Sequence, residues 1–450
     1  MITTPICDFA AAYERSGALR LHMPGHKGIP LMGMEARDLT EIDGADVLYD
    51  AQGIIRESEE NARSLFGTGH TLYSTEGSSL CIRAMLYLAQ LWARSTGRRP
   101  LIAAARNAHK VFMTAAALLD LDICWLFPAE TGSVVSCRLD LDAVEKVLRD
   151  EKPAALYVTS PDYLGNIADI PALSRLCKRY GVLLMVDNAH GAYLKFLPGS
   201  KHPIDLGADI CCDSAHKTLP VLTGGAYLHI SPDAPGLLGE NAQNALSLFA
   251  STSPSYLILQ SLDKANRYLS ATSSEVYSAH EDALEKMCGA LRGCGCQVLH
   301  GEPLKVTVMP KSMGWRGDEL AQQMQQSGFV PEFADPDHLV MMFTPLIAPG
   351  AIHRVTEFLC ALPPKAPLTE QPPVLSTPVR RLSPREAIMS PQERIPVSQA
   401  QGRILASASV NCPPAVPIVV CGEEIDESAV SCFRYYGIET CTVVCHCSNS

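Results

Sequence analysis

Gly181-Val182-Leu183-Leu184-Met185-Val186-Asp187-Asn188-Ala189-His190-Gly191-Ala192 is an apolar run that closes on an acid and then on a small-residue turn carrying a histidine. An unbroken apolar run of this length is the pattern of a strand buried on both faces, as in a parallel sheet. An acid at the carboxyl end of such a strand points into the crevice where open α/β sheets bind ligands. Asp187 and His190 are therefore candidate site residues, although a loop or N-cap aspartate would leave the same trace.

The pattern extends in both directions. Downstream, Ala208-Asp209-Ile210-Cys211-Cys212 reads as a buried strand bounded by Gly207, and Gly224 to Ile230 as another. Between them lies Asp213-Ser214-Ala215-His216-Lys217-Thr218-Leu219-Pro220. This places Lys217 on a connection between strands, flanked by hydroxyl and imidazole groups, as a lysine that condenses with an aldehyde would be presented. Upstream, Thr75-Glu76-Gly77-Ser78-Ser79 precedes Leu80 to Ala93, whose apolar residues recur at helical spacing. Free N–H groups and the dipole at that helix start favour an anion, and the hydroxyls of Ser78 and Ser79 add donors. Arg106-Asn107-Ala108-His109-Lys110 follows the strand Leu101 to Ala105, so His109 either stacks on a planar ring or fills a loop. Each element alone has an ordinary structural explanation; their joint occurrence in this order points to one site. A pyridine ring acts as an electron sink when its nitrogen is protonated, and a buried carboxylate such as Asp187 stabilises that form.

Leu21-His22-Met23-Pro24-Gly25-His26-Lys27-Gly28, Arg106 to Lys110, Thr159-Ser160-Pro161, Val186 to Ala192 and Ser214 to Pro220 together resemble the ornithine/lysine/arginine decarboxylase family. Ser383 to Ala387, Gly402-Arg403-Ile404 and Cys412 to Pro417 resemble that family's carboxyl-terminal domain. The resemblance implies a fold-type-I, pyridoxal 5′-phosphate-dependent large α/β domain with a mostly parallel sheet, a smaller α+β domain and a compact carboxyl-terminal domain. It implies Lys217 as the Schiff-base lysine, Asp187 as the partner of the pyridine nitrogen and His109 as the imidazole on the ring. Gly77, Ser78, Ser79, Ser214 and His216 would hold the phosphate, with His190 beside the cofactor. The implied reaction converts lysine, arginine or ornithine to cadaverine, agmatine or putrescine plus CO₂. Other fold-type-I reactions on an amino acid, or a catalytically silent cofactor-binding paralogue, are the alternatives.

The chain departs from the family pattern at several positions. Glu76 stands where the family commonly has Asn, Asp162 where it commonly has Thr, Gly224 where Gln is usual, and Tyr193 where His is frequent. Glu76 and Asp162 add negative charge near the site and are candidate partners for a cationic substrate tail; solvated loop acids are the alternative. His26 and Lys27, in the amino-terminal stretch, are candidates for a site shared between subunits.

Composition narrows the class. The formal charge of −11 argues against a nucleic-acid footprint, and the sequence has neither a long uninterrupted apolar stretch nor a basic-then-apolar leader. A soluble, cytoplasmic protein acting on a small-molecule amino acid is expected, as a homodimer without an additional amino-terminal wing domain and with its site near the subunit interface. The 17 cysteines are scattered through core segments and read as reduced thiols. Cys294-Gly295-Cys296 and the tail Cys441, Cys445, His446 and Cys447 lack the paired spacing of structural zinc, so no metal is expected.

The expected organisation is an arm over 1–49, a cofactor-binding large domain over 50–262 and a small domain over 263–362. A linker over 363–378 with six prolines and a carboxyl-terminal domain over 379–450 follow. Strands are expected at 101–106, 123–127, 154–159, 183–187, 209–212 and 226–230, with helices at 141–149 and 172–180. Beyond them come long helices from 255 to 292 broken near 270–274, strands at 304–309 and 338–343, and a helix at 318–326.

Overall fold

The computed structural model describes residues 2–129, 137–363, 365–410 and 416–445. The motif residues Cys412 to Ala415 and the tail residues His446 and Cys447 lie outside them. The chain divides into two compact units, one of Met1–Arg99 with Ile170–Tyr277, the other of Pro100–Asp169 with Ser278–Ser450.

In the first unit, Leu183–Asp187 pairs in parallel with Ile210–Asp213. Ile210–Asp213 pairs in turn with Ala226–Ile230, which pairs with His70–Ser74, both antiparallel. Every residue of Leu183–Asp187 is buried, as the unbroken apolar run requires. The strand His70–Ser74 is not evident in the sequence, because His, Thr and Ser interrupt its apolar character. The helix Ile54–Phe66 buries Ile55, Ser58, Glu59, Ala62 and Phe66, a one-sided stripe at three- and four-residue spacing. Its start is held by Asp46, whose carboxylate accepts from the N–H groups of Gly53 at 2.8 Å and Ile55 at 3.0 Å. Gly67 ends it at φ +65°, the left-handed cap that favours glycine. The amino-terminal stretch contains the helix Pro5–Ser16, whose Ile6, Cys7 and Ala10 are buried. The break expected near 270–274 falls between the helices Tyr256–Ala271 and Ser274–Gly293.

In the second unit, Leu101–Ala105 lies between Asp122–Leu126 and Ala155–Thr159, parallel to both. A second, antiparallel sheet runs in the order Phe333–Ala334, Leu339–Met342, Lys305–Met309, Gln297–Leu299. In the carboxyl-terminal part, Gln392–Pro396 pairs with Thr440–Val444, and Ile395, Leu405, Ile418, Phe433 and Val443 share one core. Residues 365–378 form neither helix nor strand, in keeping with the four prolines among them. Arg106, just past the end of Leu101–Ala105, meets Glu423 in a two-point contact with both N···O distances 2.7 Å. Both side chains are buried, and the guanidinium lies over the rings of Trp125 and Phe127. No helix among the described residues is long and apolar enough to cross a membrane.

Candidate active site

The connection after Ile210–Asp213 is wound into a single helical turn, Ala215–Thr218, rather than an open loop. The turn fixes the direction of Lys217, whose N–H donates to Ser214 O at 3.0 Å. The Lys217 Nζ lies 3.0 Å from His190 Nε2, so the lysine and the histidine after Asp187 share a proton-transfer distance. His216 is clamped twice onto Gly225 O, through its backbone N–H at 3.1 Å and its Nδ1 at 2.9 Å.

Ser214 Oγ donates to Ser78 Oγ at 2.8 Å, which brings the end of one strand to the start of the helix Gly77–Ser95. That helix is long enough to present a full set of free N–H groups there. Gly77 opens it at φ +69° and donates to Gly224 O at 2.7 Å. Gly224 itself sits at φ +102°, and a Cβ there would fall 2.8 Å from Thr75 O. The departure at Gly224 thus has a backbone cause: only glycine fits against the Thr75 carbonyl.

Asp187 is buried at the carboxyl end of its strand, and its Oδ1 accepts the Ala189 N–H at 3.2 Å. Cys212 Sγ lies 3.7 Å from the same oxygen, and burial, reinforced by Asp187, pushes that thiol well up. The neighbouring Asn188 donates through Nδ2 to Asp213 Oδ1 at 2.7 Å. Asn188 and Asp213 were not singled out from the sequence, yet they tie the strand end bearing Asp187 and His190 to the one bearing Ser214 and Lys217. The available signal was their matching position, each at the carboxyl end of an apolar run just ahead of a motif residue.

The other candidates are placed as follows. Glu76 is exposed and accepts the Ser251 N–H at 2.7 Å. His26 Nε2 is 3.1 Å from Asp38 Oδ2, and Lys27 donates to His22 O. Ser79 lies one residue further into the first turn of the helix Gly77–Ser95. In the second unit, His109 caps the helix Lys110–Leu119, its Nδ1 accepting the Val111 N–H at 3.3 Å. Asp162 is buried, and its carboxylate accepts from Leu164 N, Asn166 N and Asn166 Nδ2 at 2.8–3.0 Å, closing the 162–166 turn. Burial pushes the Asp162 carboxyl up, opposed by those donors.

The family model for the major domain of Orn/Lys/Arg decarboxylases matches residues 4–288, and the model for their carboxyl-terminal domain matches 373–440. The chain belongs to the Orn/Lys/Arg decarboxylase family. It is 28% identical to an arginine decarboxylase of Bacillus subtilis, over 95% of this chain and 92% of the relative. An arginine decarboxylase of Halalkalibacterium halodurans is also 28% identical, over 96% and 93%. Among solved structures, lysine decarboxylase A from Pseudomonas aeruginosa superposes with a TM-score of 0.78 at 18% identity, over 96% of this chain and 76% of that one. A lysine decarboxylase from Francisella novicida does so with a TM-score of 0.74 at 16% identity, over 99% and 81%. The fold is that of the fold-type-I enzymes, and this family member is a pyridoxal-phosphate-dependent decarboxylase.

The residues present fit that cofactor. The helix start at Gly77 with two hydroxyls 2.8 Å apart offers donors for a phosphate. The buried carboxylate of Asp187 suits a protonated ring nitrogen, and Lys217 offers an amine for the aldehyde. The Thr218 Oγ1, in the same turn as Lys217, is buried without a hydrogen-bond partner. A polar ligand or an ordered water in this position would satisfy it.

Proposed function

We propose that this decarboxylase acts on a basic amino acid, arginine, lysine or ornithine, releasing CO₂ and agmatine, cadaverine or putrescine. The reading is supported most directly by the 3.0 Å contact of Lys217 with His190, set beside the Ser78–Ser214 hydroxyl pair. Lys217 would hold the cofactor's aldehyde, Asp187 would pair with its ring nitrogen, and His109 would stack on the ring. Gly77, Ser78, Ser79, Ser214 and His216 would hold the phosphate. When bound, pyridoxal phosphate supplies the electron sink for the bond to the departing carboxylate. The chain's own residues supply direction and protons. Lys217, with its Nζ against His190 Nε2, returns a proton to the substrate's α-carbon, and His190 restores it.

The names of the relatives, arginine decarboxylase by sequence and lysine decarboxylase by structure, support a cationic substrate without choosing its tail. Glu76 is the proposed partner of that tail; Asp162, His26 and Lys27 contribute to the shape and charge around it. The working form is proposed to be a cytoplasmic homodimer with the site near the subunit interface. The test is CO₂ release by the pyridoxal-phosphate-loaded protein from arginine, lysine and ornithine in parallel. One of the three should turn over at least about tenfold faster than the others, since a mismatched charge position or tail length costs about 1.4 kcal/mol or more. A loaded protein that releases CO₂ from none of them contradicts the proposal.

A further inference from the structure

We propose that His202, Cys211, Asp213 and His229 form a structural divalent-cation site of the zinc class, buried behind the strand end that carries Lys217. This goes beyond the decarboxylase reading and does not depend on it. The four side chains are fully enclosed, each 0% exposed. Cys211 and Asp213 are two apart on one strand and so project from the same face, and His229 is the cross-strand partner of Cys211. His202 arrives from the segment before that strand.

The donor atoms converge. His202 Nε2 lies 3.1 Å and His229 Nε2 3.3 Å from the same oxygen, Asp213 Oδ2. In a tetrahedral zinc site with bonds of ~2.0–2.1 Å to nitrogen and oxygen, ligand atoms stand about 3.3 Å apart. The two imidazole rings cross at 88° with centroids 5.3 Å apart. Two histidines bound through Nε2 to one tetrahedral ion have centroids about 5.2 Å apart by the same geometry. Cys211 Sγ is 4.0 Å from His202 Nε2, against about 3.6 Å for a sulfur and a nitrogen on one zinc. The His202, Cys211 and Asp213 donor atoms all lie within 4.8 Å of one another, a set that His229 does not join, so closing a four-ligand site requires its imidazole to move inward.

The surroundings match a metal site in four further ways. His229 Nδ1 is 2.8 Å from Thr71 Oγ1, an outer contact that orients the ring and leaves Nε2 facing inward. That Nε2 is buried without a hydrogen-bond partner despite its nearness to Asp213. The second carboxylate oxygen is held by Asn188 Nδ2 at 2.7 Å. Phe66 packs on both imidazoles, with centroids at 4.4 and 5.5 Å, so the cluster lies in apolar surroundings where an uncompensated carboxylate is costly. A dication bound by one carboxylate and one thiolate is neutral overall, and four protein ligands with no open position mark a structural rather than catalytic ion.

The test is elemental analysis of the full-length, tag-free protein, expressed with added zinc and loaded with pyridoxal phosphate. About one equivalent of metal per chain should survive dialysis against a mild chelator, as for buried structural zinc. In His229→Gln and Asp213→Asn that content should fall about tenfold or more, while removing Cys445 and the residues after it should leave it unchanged. Unfolding and refolding the wild-type protein with and without zinc gives an answer even if those variants fold poorly: the midpoint of thermal unfolding should be higher with zinc. Metal-free wild-type protein, metal retained in both variants, or equal midpoints with and without zinc each overturn the proposal.

Discussion

Glu423 in the second unit and Asp213 in the first are both buried carboxylates, and both are linked to a charged or motif-bearing strand end. Glu423 is met by Arg106 in two bonds of 2.7 Å; Asp213 is met by two imidazoles and an amide. A guanidinium is charged at every accessible pH and its planar fork matches a carboxylate, so the Arg106–Glu423 pair is complete as it stands. Burial pushes the Asp213 carboxyl up, and His202 and His229 more than offset it, holding it well below the usual carboxylate range, so its balance rests on two imidazoles rather than on a permanent cation. The lesson is that the segment bearing His109 is anchored by a fixed ion pair to the carboxyl-terminal part of the chain. The segment bearing Lys217 rests instead on a cluster whose charge is conditional.

The largest expected effect lies at the Arg106–Glu423 pair. Glu423→Gln leaves a buried guanidinium short of its counter-charge, and removing one partner of such a pair costs about 3–5 kcal/mol. Denaturant unfolding of the loaded protein should register that loss; a change below ~1 kcal/mol would remove the contrast with Asp213.

A third carboxylate sharpens it. Glu59 is fully buried and accepts the Tyr73 N–H through one oxygen, while the other has no hydrogen-bond partner. Burial pushes it up to about 8. Because the folded value lies above that of the unfolded chain, stability is fully present below the ordinary carboxylate range and is lost as pH rises through about 8. Glu59→Gln should flatten that slope and gain on the order of 1–3 kcal/mol at the alkaline end, read from unfolding midpoints between pH 5 and 9. A slope that persists in the variant would place the titration elsewhere.

The smallest expected effect lies at the phosphate donors. Ser214→Ala removes the hydroxyl that meets Ser78, and should weaken pyridoxal phosphate binding about tenfold, or ~1.4 kcal/mol, with little effect on unfolding of the cofactor-free chain. Fluorescence titration with the cofactor measures it. An unchanged affinity would move the phosphate away from this pair.

Much of the fold was legible because several strands are unbroken apolar runs: Leu101–Ala105, Leu183–Asp187 and Ala226–Ile230 lie where the hydropathy places them. His70–Ser74 was not, since its pairing with Ala226–Ile230 comes from tertiary contact and leaves no periodic trace. The helix Pro5–Ser16 was obscured by the proline and glycine punctuation that follows it. Within the candidate site, Lys217, His190, Ser78 and Ser214 were legible as motif residues and are in contact as pairs. Asp162 was conspicuous as an unusual acid near a motif, but three donors engage it inside its own turn, a local arrangement that spacing alone does not reveal. Gly224 read as an unexplained departure because its cause is a backbone approach by Thr75 O, distant in sequence. The Asp213 cluster escaped notice for a similar reason: its donors are separated by up to 27 residues, Thr71 lies further still, and no short metal motif joins them.

Lys217 is the residue proposed to bear the cofactor. Reducing the pyridoxal-phosphate-loaded protein with borohydride and sequencing its peptides by mass spectrometry tests this directly. The added pyridoxyl-phosphate mass should fall on Lys217 and vanish in Lys217→Ala, together with the protein's visible absorption. The same mass on another lysine, or on none, would contradict the account.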